Sequence, residues 1–247
     1  MNLIELVPRD ISELISMART TLKRSWIHGV NVPDIVRLPI RSDDAAIRLT
    51  DEGVIAIPHI RCMDRSLDDS VALADRLFRN GVTAMLVVSG DRPQSGEPLW
   101  DVSPVDLIPA IKSEVPGMTV YAGMDPYRSP LATELEYMRQ KVAAGADGFF
   151  SQPFFDIHLA SYYSEQIPNI PLFMGVSPVV SDASRRYWSQ VNRVPFPANF
   201  DTSLIANAQI ADQMIRFAAQ RHQHVYLMPI KVDLEAYLSS VDRLLAN

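Results

Sequence analysis

The sequence has a single cysteine, Cys62, among its 247 residues. One cysteine excludes an intrachain disulfide and a zinc site built from several thiolates, and it fits a reducing compartment. The sequence also lacks an excess of positive charge, since 29 acidic residues outnumber 23 basic ones and the formal net charge is −6. Without a basic run or a basic amphipathic stretch, nucleic acid and anionic membrane surfaces are not expected partners. We therefore expect small-molecule ligands.

Long hydrophobic runs are absent as well. No segment reaches the roughly 18 consecutive apolar residues that suggest a membrane span. The first residues, MNLIELVPRDISELI, lack the basic flank and the apolar core of a signal peptide. The composition, 47% hydrophobic and 21% charged, is ordinary for a soluble globular protein. We expect a cytoplasmic protein with one domain over residues 1–247, and the sequence leaves homo-oligomer formation open.

Short apolar runs alternate with amphipathic stretches of helical length, and Gly, Pro, Asp or Ser residues separate them. This pattern predicts eight strands, near residues 3–7, 25–30, 54–58, 84–88, 118–122, 147–151, 171–175 and 225–229. It predicts helices near residues 11–23, 43–51, 67–79, 104–114, 130–144, 157–166, 182–191, 203–221 and 234–245. Eight strand–helix units in a chain of this length are typical of an α/β protein with a (β/α)8 TIM barrel.

A doubly wound open sheet is the competing fold. It is disfavoured because no glycine-rich dinucleotide fingerprint follows the first strand. The segment VVSGDRPQSG also lacks the glycine spacing and the Lys-Ser/Thr pair of a phosphate-binding loop. These absences favour the barrel.

Polar residues recur where the predicted strands end, and this is the end of a barrel that carries the active site. They are Glu5, His59, Arg61, Asp91, Asp125, Arg128, Gln152, Ser177 and Lys231. Each has a structural alternative: an ion pair for Glu5, a hydrogen-bonded core residue for His59, a turn for Asp91 and solvated surface charge for the cations. Together they point to a site, because two buried acids beside an amide are costly without a ligand or a proton.

Other chemistries fit less well. The five histidines are scattered along the chain, which argues against a metal centre. There is no G-x-S-x-G motif, and Cys62 has no visible activating neighbours.

Several motifs, in this order, resemble those of the methylenetetrahydrofolate reductase family: IELVPRD, PHIRCMDR, VVSGDRP, KVAAGADGFFSQPFFD, GVSPV and VYLMPI. The resemblance spans nearly the whole chain. It implies a (β/α)8 barrel that reduces 5,10-methylenetetrahydrofolate to 5-methyltetrahydrofolate, usually with hydride passing from NAD(P)H through FAD.

The resemblance also implies roles for individual residues. Glu5 matches a general acid that protonates N10 of the folate, and Asp91 matches an aspartate that stabilises the resulting iminium ion. Gln152 matches a folate ligand, and Phe154 either lines the pterin pocket or packs the loop beneath it. Burial favours the neutral form of a carboxyl group, which suits a proton donor. Asp156 is interpreted as the N-cap of the next helix.

The motifs depart from the family pattern mainly at flavin contacts. The usual R-G-D is Ser89-Gly90-Asp91, and the usual Tyr and His after strand five are missing from MDPYRSPLATE. If FAD binds, the resemblance implies that His59, Gly90 and Asp91 lie near the isoalloxazine and Lys141 near the phosphates. Arg128 or Arg139 would then replace the missing groups.

The sequence leaves two alternative functions open. In one, flavin is lost and hydride passes directly from a nicotinamide. In the other, the barrel binds folate without catalysis. Arg37 and Arg41 are candidates for a phosphate or for the glutamate tail of folate, with surface charge as the structural alternative.

Overall fold

The computed structural model describes residues 1–90 and 99–246. Its strands are β1 (Asn2–Glu5), β2 (Gly29–Val32), β3 (Ala56–Arg61), β4 (Ala84–Val88), β5 (Thr119–Met124), β6 (Gly148–Pro153), β7 (Leu172–Val176) and β8 (His224–Leu227). They follow one another in chain order around a closed barrel, and β1 pairs in parallel with β8. The predicted (β/α)8 TIM barrel is therefore confirmed.

The helices lie between the strands and after β8. They are α1 (Ile11–Thr21), α2 (Ser42–Asp51), α3 (Leu67–Arg79), α4 (Pro104–Glu114), α5 (Leu131–Ala143), α6 (Ile157–Gln166), α7 (Asp182–Gln190), α8 (Leu204–Gln220) and α9 (Leu234–Leu245). Most starts are marked by a side-chain cap, such as Asp10 on α1 and Ser66 on α3. Because such caps are local in sequence, the predicted boundaries agree with the observed ones within one or two residues.

The prediction for β2 was wrong in its position. Residues 25–30 were expected to form the strand, whereas β2 is Gly29–Val32. The N–H of Ile27 donates to the carbonyl of Arg24 in a turn, and the N–H of Val30 donates to the carbonyl of Ile55 next to β3. The apolar pair Trp26 and Ile27 therefore belongs to the turn after α1.

The strands are buried as expected for a parallel sheet covered on both faces. All five residues of β7 are buried, and so are Met85, Leu86 and Val87 of β4. Burial on both faces explains the nearly continuous apolar runs in the sequence.

Two compact units can be recognised within the chain. The first unit comprises Met1–Ile4, Met124–Glu136 and Phe150–Asn247, and the second comprises Glu5–Gly123 and Tyr137–Phe149. That residues 1–247 form a single domain stays a prediction. No helix in the described part of the chain is long and apolar enough to cross a membrane.

Candidate active site

In the first unit, Gln152 lies near the end of β6 with its side chain exposed, although residues 148–151 are buried. The strand end is held in place by the hydroxyl of Tyr127, which donates to the carbonyl of Pro153 at 2.8 Å. The neighbouring strand β7 approaches closely, since a Cβ at Gly175 would lie 2.5 Å from the carbonyl oxygen of Ser151. Gln152 therefore presents an amide donor and acceptor from a fixed backbone.

The turn after β5 is organised by carboxylates. The N–H of Asp125 donates to Oε1 of Glu134 at 3.0 Å, and the N–H of Tyr127 donates to Oδ1 of Asp125 at 2.9 Å. Glu134 is only 2% exposed. Burial raises the pKa of Tyr127, so its hydroxyl stays protonated and can donate. Arg128, one residue further on, is exposed.

The two phenylalanines after β6 are packed rather than presented. Phe154 is fully buried, with its ring centroid 5.9 Å from that of Tyr163. Phe155 belongs to an apolar cluster with Trp188 and Phe196. Of the two roles expected for Phe154, this position corresponds to packing of the loop beneath the strand end.

Asp156 begins α6. Its side chain accepts a hydrogen bond from the N–H of His158 at 2.8 Å. The predicted N-cap is therefore confirmed.

In the second unit, Glu5 is the last residue of β1, and it is half-buried. His59 lies within β3 rather than at its end, with Nε2 at 3.3 Å from Nδ2 of Asn31. Burial lowers the pKa of His59 to about 4, so the imidazole is neutral at neutral pH. Asn31 is fully buried, and its Oδ1 has no hydrogen-bond partner among the described residues.

Arg61 ends β3 and packs against Gly90, which follows β4. The guanidinium carbon of Arg61 lies 3.1 Å from the position that a Cβ of Gly90 would take, and Gly90 has φ +89. The positive φ favours glycine here, and a side chain at this position would also press on the guanidinium of Arg61. Asp91, the next residue and a predicted catalytic group, lies outside the described residues.

Lys141 and Arg139, both expected near the phosphates of FAD, differ in their surroundings. Lys141 is 3% exposed, and its amine donates to the carbonyl of Gly123 at 2.7 Å. The same amine lies 3.8 Å from the centre of the Tyr137 ring. Arg139 is exposed on α5. The structure therefore uses Lys141 to hold the end of β5.

Sequence reasoning missed an ion network that follows β2 and β3. Arg41 donates to Asp34 at 2.6 Å and to Asp64 at 2.8 Å, while Nε of Arg61 donates to Asp64 at 3.0 Å. Arg41 is therefore engaged within the protein, while Arg37 is exposed. The three-residue spacing of Arg61 and Asp64 was a signal for part of this network, whereas the partners of Arg41 are distant in sequence.

Cys62 is a buried residue beside this network. Burial raises the pKa of its thiol to about 12, so it is not a nucleophile at neutral pH. This agrees with the absence of activating neighbours in the sequence.

Comparison with known families gives one model that covers most of the chain. The model described as "Methylenetetrahydrofolate reductase" matches residues 38–227. Glu5 precedes the matched range. Because the match includes the region from α2 to β8, it covers six of the eight strands, β3 to β8, whereas β1 and β2 precede it.

Curated relatives agree with this match. The 5,10-methylenetetrahydrofolate reductase of Escherichia coli strain K12 is 23% identical over 187 residues, covering 68% of this chain and 62% of the relative. Methylenetetrahydrofolate reductase 2 of Saccharomyces cerevisiae is 23% identical over 168 residues, covering 62% of this chain and 28% of the relative. The chain thus spans less than two thirds of the length of these relatives.

Solved structures confirm the fold. A protein from Clostridium thermocellum that binds two copies of 5-methyl-5,6,7,8-tetrahydrofolic acid gives a TM-score of 0.67 at 14% identity, covering 99% of this chain and 94% of the other. A 2,3-dimethylmalate lyase gives a TM-score of 0.63 at 13% identity, covering 100% and 80%. Since proteins with different names match almost equally well, these likenesses show the fold alone.

Proposed function

The chain belongs to the methylenetetrahydrofolate reductase family, and from this premise we propose that it binds a reduced folate and reduces 5,10-methylenetetrahydrofolate to 5-methyltetrahydrofolate. The observation that carries the proposal is the position of Glu5, a half-buried carboxyl at the last residue of β1. Active sites of this fold lie at the carboxyl ends of the strands. The folate bound by the similar protein from C. thermocellum supports the choice of ligand.

Glu5 is proposed to act as the general acid. It transfers its proton to N10 of the folate, the bond between N10 and the methylene carbon breaks, and the electron pair of N5 forms an iminium ion. A hydride from NAD(P)H then reduces the methylene carbon to a methyl group. A carboxyl group suits this step because its neutral form can donate a proton to the leaving nitrogen, which an amide cannot do.

Two further residues are proposed to bind and stabilise the substrate. The exposed amide of Gln152 can donate to and accept from the edge of the pterin without adding charge. Asp91, which lies outside the described residues, is proposed to remain ionised and offset the positive charge of the iminium ion.

Of the residues expected near the phosphates of FAD, Lys141 is not available to them in its present contacts. The amine of Lys141 is buried against the carbonyl of Gly123, so a phosphate would have to displace an existing hydrogen bond. Arg128 and Arg139 are exposed, and each could still meet a phosphate from solvent. The buried amine favours a second candidate, in which a nicotinamide reduces the folate directly without flavin.

A comparison of Glu5→Gln with the wild type tests the proposed acid. We expect the variant to lower kcat by roughly 10²–10⁴-fold, because an amide cannot supply the proton. Affinity for 5-methyltetrahydrofolate and the melting temperature should change little. Glu114→Gln, which neutralises an exposed glutamate, is the matched control and should keep full activity.

The same experiment separates the proposal from a barrel that only binds folate. Such a barrel would bind 5-methyltetrahydrofolate but show no turnover with NADH or NADPH, with or without added FAD. The visible absorption spectrum of the purified protein separates the two reductase candidates. Flavin absorption bands would support FAD, whereas a colourless protein that turns over with NAD(P)H alone would support direct transfer.

A further inference from the structure

Arg65 lies just after β3 in the second unit, beside the ion network of Arg41, Asp34 and Asp64. Burial raises the pKa of Asp34 above its ordinary value, and the positive charges of Arg41 and, to a smaller extent, Arg65 oppose this rise. Nη1 of Arg65 is buried and has no hydrogen-bond partner among residues 1–90 and 99–246. The same is true of Nε of Arg41, although the other end of that guanidinium binds two carboxylates. Within the described part of the chain, two buried cationic donors therefore have no hydrogen-bond acceptor.

Arg65 also lines a cavity of about 480 Å³. A cavity of this size can take a small ligand. Other residues around it are Asp64, Trp100 and, along one side of α3, Asp69 and Arg76. The described residues that line the cavity all belong to the second unit.

The acids around this cavity are already paired. Asp64 accepts from Arg41 and Arg61, and Asp69 accepts from the hydroxyl of Ser66 at 2.6 Å. The cavity-lining Asp43 lies 3.6 Å from Arg76, which also pairs with Asp44. These carboxylates are engaged elsewhere, and none of them accepts a hydrogen bond from Nη1 of Arg65.

We propose that Arg65, supported by Arg41, forms an anion-binding site that takes a phosphate or carboxylate group of a ligand entering this cavity. A guanidinium binds such a group through charge-assisted hydrogen bonds, which are stronger than neutral ones. An anionic oxygen would satisfy the buried donor of Arg65 and balance its charge. The site does not depend on reductase activity, because it is defined by residues other than Glu5 and Gln152.

Calorimetric titration with pyrophosphate and with glutarate, at constant ionic strength, tests this site. Pyrophosphate stands for the phosphates of a nucleotide, and glutarate stands for the carboxylates of a glutamate tail. In Arg65→Met we expect the affinity for the preferred anion to fall by at least about tenfold. Arg79→Met removes the same charge from an exposed arginine of α3 and should bind like the wild type.

Melting temperatures provide the folding control. Since Nη1 of Arg65 has no hydrogen-bond partner among the described residues, Arg65→Met should melt near the wild-type temperature without anion and should gain little on adding it. If that variant is unstable, Arg65→Lys keeps the charge without the planar fork and should show an intermediate loss of affinity. The proposal is overturned if the wild type binds neither anion, or if the Arg65 variants bind both as tightly as Arg79→Met does.

Discussion

His59 illustrates at the scale of a single residue how burial sets a protonation state. The imidazole lies within β3, and the amide of Asn31 donates toward a ring nitrogen that must be unprotonated to accept. Burial lowers the pKa of the imidazole to about 4. A neutral histidine here can exchange hydrogen bonds with a ligand without adding charge to the site.

The free energy of unfolding should therefore depend on pH through His59. Its pKa is lower in the folded state than the ordinary value of 6.5, so the unfolded state binds more protons between pH 6.5 and about 4. Stability should fall as pH falls through this window, by an amount on the order of 3 kcal/mol, since each pKa unit corresponds to about 1.4 kcal/mol.

Urea denaturation at several pH values would measure this dependence. His59→Gln should flatten the profile between pH 6.5 and 4, whereas His158→Gln, at an exposed position, should leave the slope unchanged. Parallel profiles for the wild type and His59→Gln would show that the imidazole is not responsible.

At the scale of the element, Asn207 connects α8 to the segment that follows β7. Its Oδ1 accepts from the N–H of Val179 at 2.7 Å, and its Nδ2 donates to the carbonyls of Val179 and Ser203 at 3.1 and 2.9 Å. The side chain is 1% exposed. One amide therefore satisfies backbone groups of two segments that are separated by more than twenty residues.

Asn207→Ala should lower the free energy of unfolding by about 3 kcal/mol, because it leaves several buried backbone groups without partners. Gln209→Ala changes an exposed amide of the same helix and should have an effect of less than about 0.5 kcal/mol. Equilibrium urea denaturation provides both values. Equal stability of the two variants would mean that the hydrogen bonds of Asn207 are replaced by water at no cost.

Elements also differ in how well they could be predicted. The start of α6 was predictable because Asp156 caps it from the adjacent residue. The position of β2 was not, because Val30 joins the sheet through a hydrogen bond to Ile55. Trp26 and Ile27 look more strand-like than Asn31, yet pairing with β3 selected the segment that contains Asn31.

At the scale of the whole molecule, the closed sheet gives each strand two neighbours. Loss of one strand would leave unpaired backbone groups on both sides, so partial unfolding is costly. Because the sheet is closed, we expect the barrel to unfold as one cooperative system, although two compact units can be recognised within the chain.

We expect a single equilibrium transition in urea, with the same midpoint by far-ultraviolet circular dichroism and by tryptophan fluorescence. Trp26 and Trp100 lie in the second unit, and Trp188 lies in the first. Trp188→Phe makes fluorescence report on the second unit alone, and its midpoint by fluorescence should still match its midpoint by circular dichroism. Separate midpoints would instead indicate that the two units unfold independently.

The sequence by itself determined the alternation of strands and helices, the helix starts and the family motifs. These features depend on hydrophobic periodicity and on caps that act over a few residues, so they can be predicted from the sequence alone. Only the tertiary structure decided that the amine of Lys141 meets the carbonyl of Gly123, that Phe154 is buried, and that Arg65 lines a cavity while its Nη1 has no acceptor in the described part of the chain. Such outcomes depend on which distant segments the barrel brings together, and residue type alone does not determine which groups meet.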